Sequence, residues 1–352
     1  MNKPLTLGPL LVLVLAACAT PPTTTTRETS AAPAEKTSVT ACLVADPANA
    51  SVNAEITTGL EKAAKELGAT THVNQIAAVD DYVAALQGAV DQGCTVVLAT
   101  GSSSADPVMA AAKTNPSVGF ALVDTLPNVD ASNPLPSNLR PVLFNTNESS
   151  FLAGYAAAAS SAKGTVGVFG AIRVPAVTIY LDGFVQGVEH YNQAKGKSVK
   201  VNGWDRERLA GTFVASTTDP WNDPPAGAKA AASLDADVVM AVARDSGTGA
   251  LENAKSDGTK VIWSDVDGCQ TNADACEQIL GSVIKDRAAA VFEFVSAASQ
   301  NRSASGVFVG NVRNGGTRLV GLSDDALTAE IEDLSAQIAD GRIRVTSDSA
   351  VN

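Results

Sequence analysis

Val39-Thr40-Ala41-Cys42-Leu43-Val44-Ala45-Asp46 is an apolar run that ends on a carboxylate. It reads as a buried strand, and the Ala-rich amphipathic stretch 52–67 behind it reads as a helix. The unit then repeats. Strands are predicted at 70–74, 94–99 and 118–123, alternating with helices at 79–92 and 107–114. A second round places helices at 151–162, 178–194, 226–234 and 249–255. Its strands fall at 165–169, 199–202, 237–243 and 261–264. Strict alternation implies parallel sheets covered on both faces, and two rounds imply two doubly wound lobes. No short repeat is visible, which excludes a solenoid.

In such sheets ligands sit beyond the carboxyl ends of the strands. The residues at those positions are Asp46, Thr100 to Ser104 with Ser102 at the centre, Asp124, Arg244 to Gly247, and Asp265 to Asp267. Carboxylates and hydroxyls are dense there, and two facing lobes would aim them into one cleft. Asp46 and Ser102 also precede helices, where capping is the competing role.

The amino-terminal 38 residues are of another kind. Lys3, an apolar run from Leu10 to Leu15, and Leu15-Ala16-Ala17-Cys18 read as an export signal over 1–17 with the pattern of a lipobox. Cys18 is then the lipid-bearing first residue of the mature chain. The alternative is an ordinary cleaved signal with an incidental cysteine. Residues 18–38 hold Pro21, Pro22, four consecutive threonines and Pro33, a composition expected of a disordered tether. This places the protein outside the cytoplasmic membrane, lipid-anchored and facing away from the cytoplasm.

Charge and cysteine content narrow the classes further. The net charge of −12 disfavours nucleic acid as a partner. Apart from Cys18, four cysteines remain: Cys42, Cys94, Cys269 and Cys276. An even number in an exported chain points to two disulfides. Three pairings are open. Short spacing favours Cys269 with Cys276, and neighbouring strands would bring Cys42 to Cys94. No C-x-x-C occurs and His72 and His190 stand alone, so no metal is expected. No G-x-S-x-G or H-E-x-x-H motif occurs, and no cofactor is expected. Gly247-Thr248-Gly249 opens a helix, but Asn253-Ala254 fills the place of a third glycine. Acceptor-rich walls without a nucleophile favour binding over catalysis.

Further segments stand out: Asn147 to Tyr155, Val166 to Gly170, Gly183 to Val188, Asp237-Val238-Val239, Gly247-Thr248-Gly249, Ile262 to Asp267, Ser282 to Lys285 and Ile338 to Val345. Together they resemble the basic membrane protein family of bacterial lipoproteins, which includes purine-nucleoside receptors of ABC importers. Their order is that of the family and they span nearly all of the folded part. The resemblance implies a type I periplasmic-binding fold with a three-strand hinge. One lobe would comprise 39–145 with about 268–304, the other 146–267 with about 305–352. It matches Ser51, Val52 and Asn53 to the family's S-F-N ligand segment and Asp124 to its strand-end aspartate. Asp265 and Lys285, the latter in an S-x-x-K helix, match the ribose-hydroxyl contacts. Two departures stand out. Val52 and Met240 occupy places where base-stacking rings are common. Trp221 could supply one ring face, or simply cover the core.

The reading is therefore a monomeric, lipid-anchored solute-binding protein that delivers a small polar ligand, a nucleoside first among candidates, to an ABC permease. A sensor presenting its closed form to a membrane receptor and an exported nucleoside- or sugar-processing enzyme are the rivals.

Overall fold

The computed structural model describes residues 37–302 and 305–351. The export signal, Cys18 and nearly all of the tether lie outside them. Within the described residues the chain forms two large sheets, each wrapped by helices, and one two-stranded hairpin.

The first sheet begins with β1 (Thr40–Ala45), α1 (Ala50–Leu67), β2 (Thr70–Gln75), α2 (Tyr82–Asp91) and β3 (Val96–Thr100). It continues through α3 (Ala105–Thr114), β4 (Gly119–Val123) and β5 (Leu139–Phe144). The chain then enters the second sheet through α4 (Thr146–Ser160), β6 (Thr165–Gly170), α5 (Pro175–Lys195) and β7 (Lys200–Asn202). A small hairpin, β8 (Trp204–Asp205) and β9 (Ala210–Gly211), precedes α6 (Pro224–Ala232), β10 (Val238–Val242), α7 (Thr248–Asp257) and β11 (Lys260–Asp265). Then come α8 (Gly268–Thr271), β12 (Ile279–Lys285), α9 (Arg287–Ser299), β13 (Phe308–Gly310), β14 (Thr317–Val320) and α10 (Asp325–Ala339).

Each large sheet has six strands. Their orders are β13-β5-β4-β3-β1-β2 and β14-β12-β11-β10-β6-β7. Within these two sheets all pairings are parallel except that of β12 with the edge strand β14. The expected alternation is present, and the inner strands are apolar on both faces because helices cover both. The expected lobe boundaries need correction. Residues 268–285 run into the second sheet, not the first, because β12 pairs with β11. Residues 308–310 return to the first sheet beside β5. In between, α9 packs its Val291, Phe294 and Val295 into the core of the first lobe.

Three segments thus pass between the lobes: after β5, after β12, and between β13 and β14. They are tied to one another. Asn145 N donates to Gly310 O at 2.8 Å and Asp286 N to Gly316 O at 2.8 Å. This is the three-strand hinge.

The segment Asn147 to Tyr155 explains itself by packing. Helix α4 is buried over nearly its whole length, with no polar face of its own. It lies against α5 so closely that a Cβ on Gly154 would sit 2.0 Å from Phe184 O, and one on Gly187 1.9 Å from Phe151 O. Only glycine permits that approach.

Both expected disulfides are present. Cys42 on β1 joins Cys94, just before the adjacent strand β3, and Cys269 joins Cys276; the Cα separations are 6.0 and 4.6 Å. On chain entropy the longer loop contributes about 4 kcal/mol and the shorter about 2 kcal/mol.

Candidate functional site

Strand ends from both lobes meet beside the hinge. Asp124 follows β4 of the first lobe, and Asp265 ends β11 of the second. Both adopt left-handed backbone conformations, with φ of 57° and 72°. Such turns redirect the chain at the sheet edge and are tolerated by aspartate better than by most residues. Lys285, at the end of β12, reaches Asp124 Oδ1 and Oδ2 at 3.0 and 2.9 Å and Asp265 Oδ1 at 3.2 Å. Lys285 is therefore an ionic link between the lobes.

Arg287, at the start of α9, completes the group. Its Nη2 donates to Asp124 Oδ2 at 2.8 Å and to Asp265 Oδ1 at 3.3 Å, and its Nη1 to Glu55 Oε1 at 2.9 Å. The Tyr180 hydroxyl, from α5, donates to Asp265 Oδ1 at 2.7 Å. Arg287 is 1% exposed. Every protein donor on the Asp265 carboxylate thus converges on Oδ1. Among the described residues none is hydrogen-bonded to Oδ2, which stays able to accept from a ligand.

The charges set one another's titration. Burial opposes ionisation of Asp265, but Lys285 and Arg287 outweigh it, helped by the Tyr180 hydrogen bond and by Arg244. Its carboxyl is held well below the usual range, and Asp124 is lowered by the same two cations against the same burial. Glu55 goes the other way. Burial pushes it up to about 7 against the pull of Arg287. Burial and the Asp265 carboxylate raise the Tyr180 hydroxyl well above its ordinary value, so it stays a donor.

The remaining expected residues divide. Asp46 caps the turn Pro47–Asn49, its Oδ1 accepting from Ala48 N at 2.9 Å. Asn53 Nδ2 donates to Asp46 O at 2.8 Å, and Asn53 Oδ1 is buried without a hydrogen-bond partner among the described residues. These two form a second polar group at the end of β1. Ser51 and Ser102 are exposed. Val52 is 5% exposed and Met240 0%, both inside the lobe cores. Met240 lies within β10. Gly247 packs against the Trp263 ring, where a Cβ would meet it at 3.1 Å. Lys285, expected on a helix, ends a strand; Ser282 to Lys285 pairs with β14 along its length.

Arg287, Tyr180 and Glu55 were not anticipated. Arg287 left one signal. A cation at a helix amino terminus opposes the helix dipole, so its presence there implies carboxylates nearby. Tyr180 and Glu55, inside amphipathic helices, left none. Two cavities lie elsewhere. One of about 350 Å³ is lined by Lys163, Asp237 and Thr259 at the amino ends of strands, the side that this topology does not use for ligands. One of about 280 Å³ lies between Asp182, Arg206 and the carboxyl-terminal segment. Among the described residues no cluster of metal-ligating side chains occurs, and no helix is long and apolar enough to cross a membrane.

The Bmp family model, described as ABC transporter substrate-binding protein PnrA-like, matches residues 36–348. The chain belongs to this family. The chain is 30% identical over 289 residues to the ABC transporter nucleoside-binding protein BmpA of Lactococcus lactis, covering 76% of this chain and 75% of that one. It is 27% identical over 278 residues to basic membrane protein A of Borreliella burgdorferi, covering 76% of each. A solute-binding protein of an Aeropyrum pernix ABC transporter system superposes with a TM-score of 0.68 at 20% identity, covering 88% and 94% of the two chains. That last likeness shows the fold alone, the type I periplasmic-binding arrangement. As a Bmp-family member the protein is an ABC transporter substrate-binding protein, a class that works on the extracytoplasmic side with a membrane permease.

Proposed function

We propose that the protein is a lipid-anchored receptor that captures a nucleoside between its lobes and delivers it to an ABC permease. One observation carries the reading: the Asp124–Lys285–Asp265 group spans both lobes beside the hinge and, among the described residues, leaves Asp265 Oδ2 without a partner. A carboxylate with one open oxygen, backed by two cations, suits a pair of sugar hydroxyls. Asn53 Oδ1 offers a further acceptor, and Trp221 a ring on which a base can pack. The Lactococcus relative, named as nucleoside-binding, supports the ligand class.

Purified protein should melt later when nucleoside is added. Ligand at about a hundredfold above its dissociation constant adds about 2.7 kcal/mol. A shift with a free sugar or another polar metabolite, and none with any nucleoside, would remove the ligand assignment and leave the transport class intact.

Anchoring is tested at Cys18. Several acyl chains hold a protein firmly where one does so only marginally. Cys18→Ser should move most of the protein from the membrane to the soluble fraction, or stall it as the unprocessed precursor. A variant that stays processed and membrane-bound would overturn the lipid anchor.

A further inference from the structure

Arg244 stands directly after β10, between the strand that ends at Asp265 and the loop that carries Trp221. Its backbone is left-handed, with φ of 47°. Its guanidinium lies 4.8 Å from the Trp221 ring centroid. Among the described residues no carboxylate or carbonyl accepts a hydrogen bond from it. A guanidinium held against a ring by its charge and paired with no acceptor keeps its N–H donors available.

Trp221 is held in place as well. Ser246 N donates to Trp221 O at 3.1 Å, Ser246 Oγ to Pro220 O at 2.9 Å, and Asp223 N to Ser246 Oγ at 2.7 Å. Ser246 belongs to the same turn as Arg244. The ring and the guanidinium are therefore one rigid corner, and Arg244 is close enough to Asp265 to act on its charge.

We infer that Arg244 and Trp221 form the base-reading corner of the cleft and select a 6-oxopurine nucleoside over adenosine. The inference rests on the nucleoside reading above. An oxopurine presents O6 and N7 as adjacent acceptors, which a guanidinium meets with two parallel donors. Adenine puts an amino donor where O6 would be, and arginine has no acceptor to offer it. An anionic ligand is the competing match for a free guanidinium. It fits less well, because the neighbouring group holds three carboxylates, Glu55, Asp124 and Asp265, against the two cations Lys285 and Arg287.

Calorimetric titration of the full protein with inosine, guanosine, adenosine, uridine and inosine monophosphate decides the matter. Inosine and guanosine should bind about ten- to a hundredfold tighter than adenosine. Arg244→Met keeps an apolar chain on Trp221 and should bring the purines within about threefold of one another, mainly by weakening the oxopurines. Arg244→Lys should retain part of the preference, since one donor remains. Equal binding of adenosine and inosine by the unaltered protein, or an unchanged preference in Arg244→Met, would overturn the inference and leave the nucleoside reading standing. So would tightest binding of the monophosphate. If none of the nucleosides binds, both fall together.

Discussion

Asp265→Ala should weaken nucleoside binding at least about a hundredfold, or about 2.7 kcal/mol, and abolish the thermal shift. The loss is large because the ligand hydroxyls would face Lys285, Arg287 and Tyr180, all donors, with no acceptor at the end of β11. Alanine also fits poorly at φ of 72°, so some of the effect would come from the backbone. Asp265→Asn separates the two causes. Asparagine tolerates the left-handed turn and keeps the shape, but replaces one acceptor by a donor and removes the charge. It should lose nearly as much affinity while melting closer to the unaltered protein. A dissociation constant within twofold of the original in either variant, measured calorimetrically, would remove Asp265 from the ligand site.

Arg287→Met should destabilise the folded protein by about 3–5 kcal/mol, with a fall in melting temperature on the order of 10 °C. The side chain is 1% exposed and meets Glu55, Asp124 and Asp265. Without it, Asp124 and Asp265 share Lys285 alone and Glu55 has no counter-charge among the described residues. The deficit should depend on pH with a definite sign. Asp124 and Asp265 have lowered values in the folded state, so their stabilising contribution is full above the usual carboxylate range and is lost as pH falls below it. Glu55 is raised from 4.5 to about 7, so its contribution is full below 4.5 and is lost as pH rises through about 7. In Arg287→Met, ionised Glu55 has lost its partner. The deficit should therefore be larger at pH 8 than at pH 5, where Glu55 is protonated. Denaturant titrations at the two pH values measure this. A loss below about 1 kcal/mol at both would show that the cluster tolerates an apolar replacement of similar volume, as some buried ion pairs do.

The first lobe was largely legible in the chain from 39 to 123, because each buried strand is a short apolar run and each helix carries one apolar face. Leu139–Phe144 escaped notice, since Arg140 and Pro141 interrupt its pattern. Proline is uncommon within sheets. It is accommodated here where β13 begins to cover β5 only at Val142. The site was legible where strand ends carry it, at Asp124 and Asp265, and Lys285 was found through family resemblance although its element was misread. Val52 and Met240 mark the limit of pattern reading, because an apolar side chain beside a cleft and one inside a core look alike in sequence; only the covering elements distinguish them.

By itself the sequence determined the α/β class, the two rounds of winding and the position of the carboxylates at strand ends, and it favoured one pairing of the cysteines among three. These follow from local periodicity and from topology rules that hold wherever strands and helices alternate. Tertiary structure alone decided which sheet receives β12 and β13, that Lys285 links the lobes, and that Arg287, Glu55 and Tyr180 surround Asp124 and Asp265. The physical reason is that a strand's partner, and the partner of a buried charge, are chosen by long-range packing and desolvation. Groups as far apart in sequence as Glu55 and Arg287 meet because both need a counter-charge once water is removed.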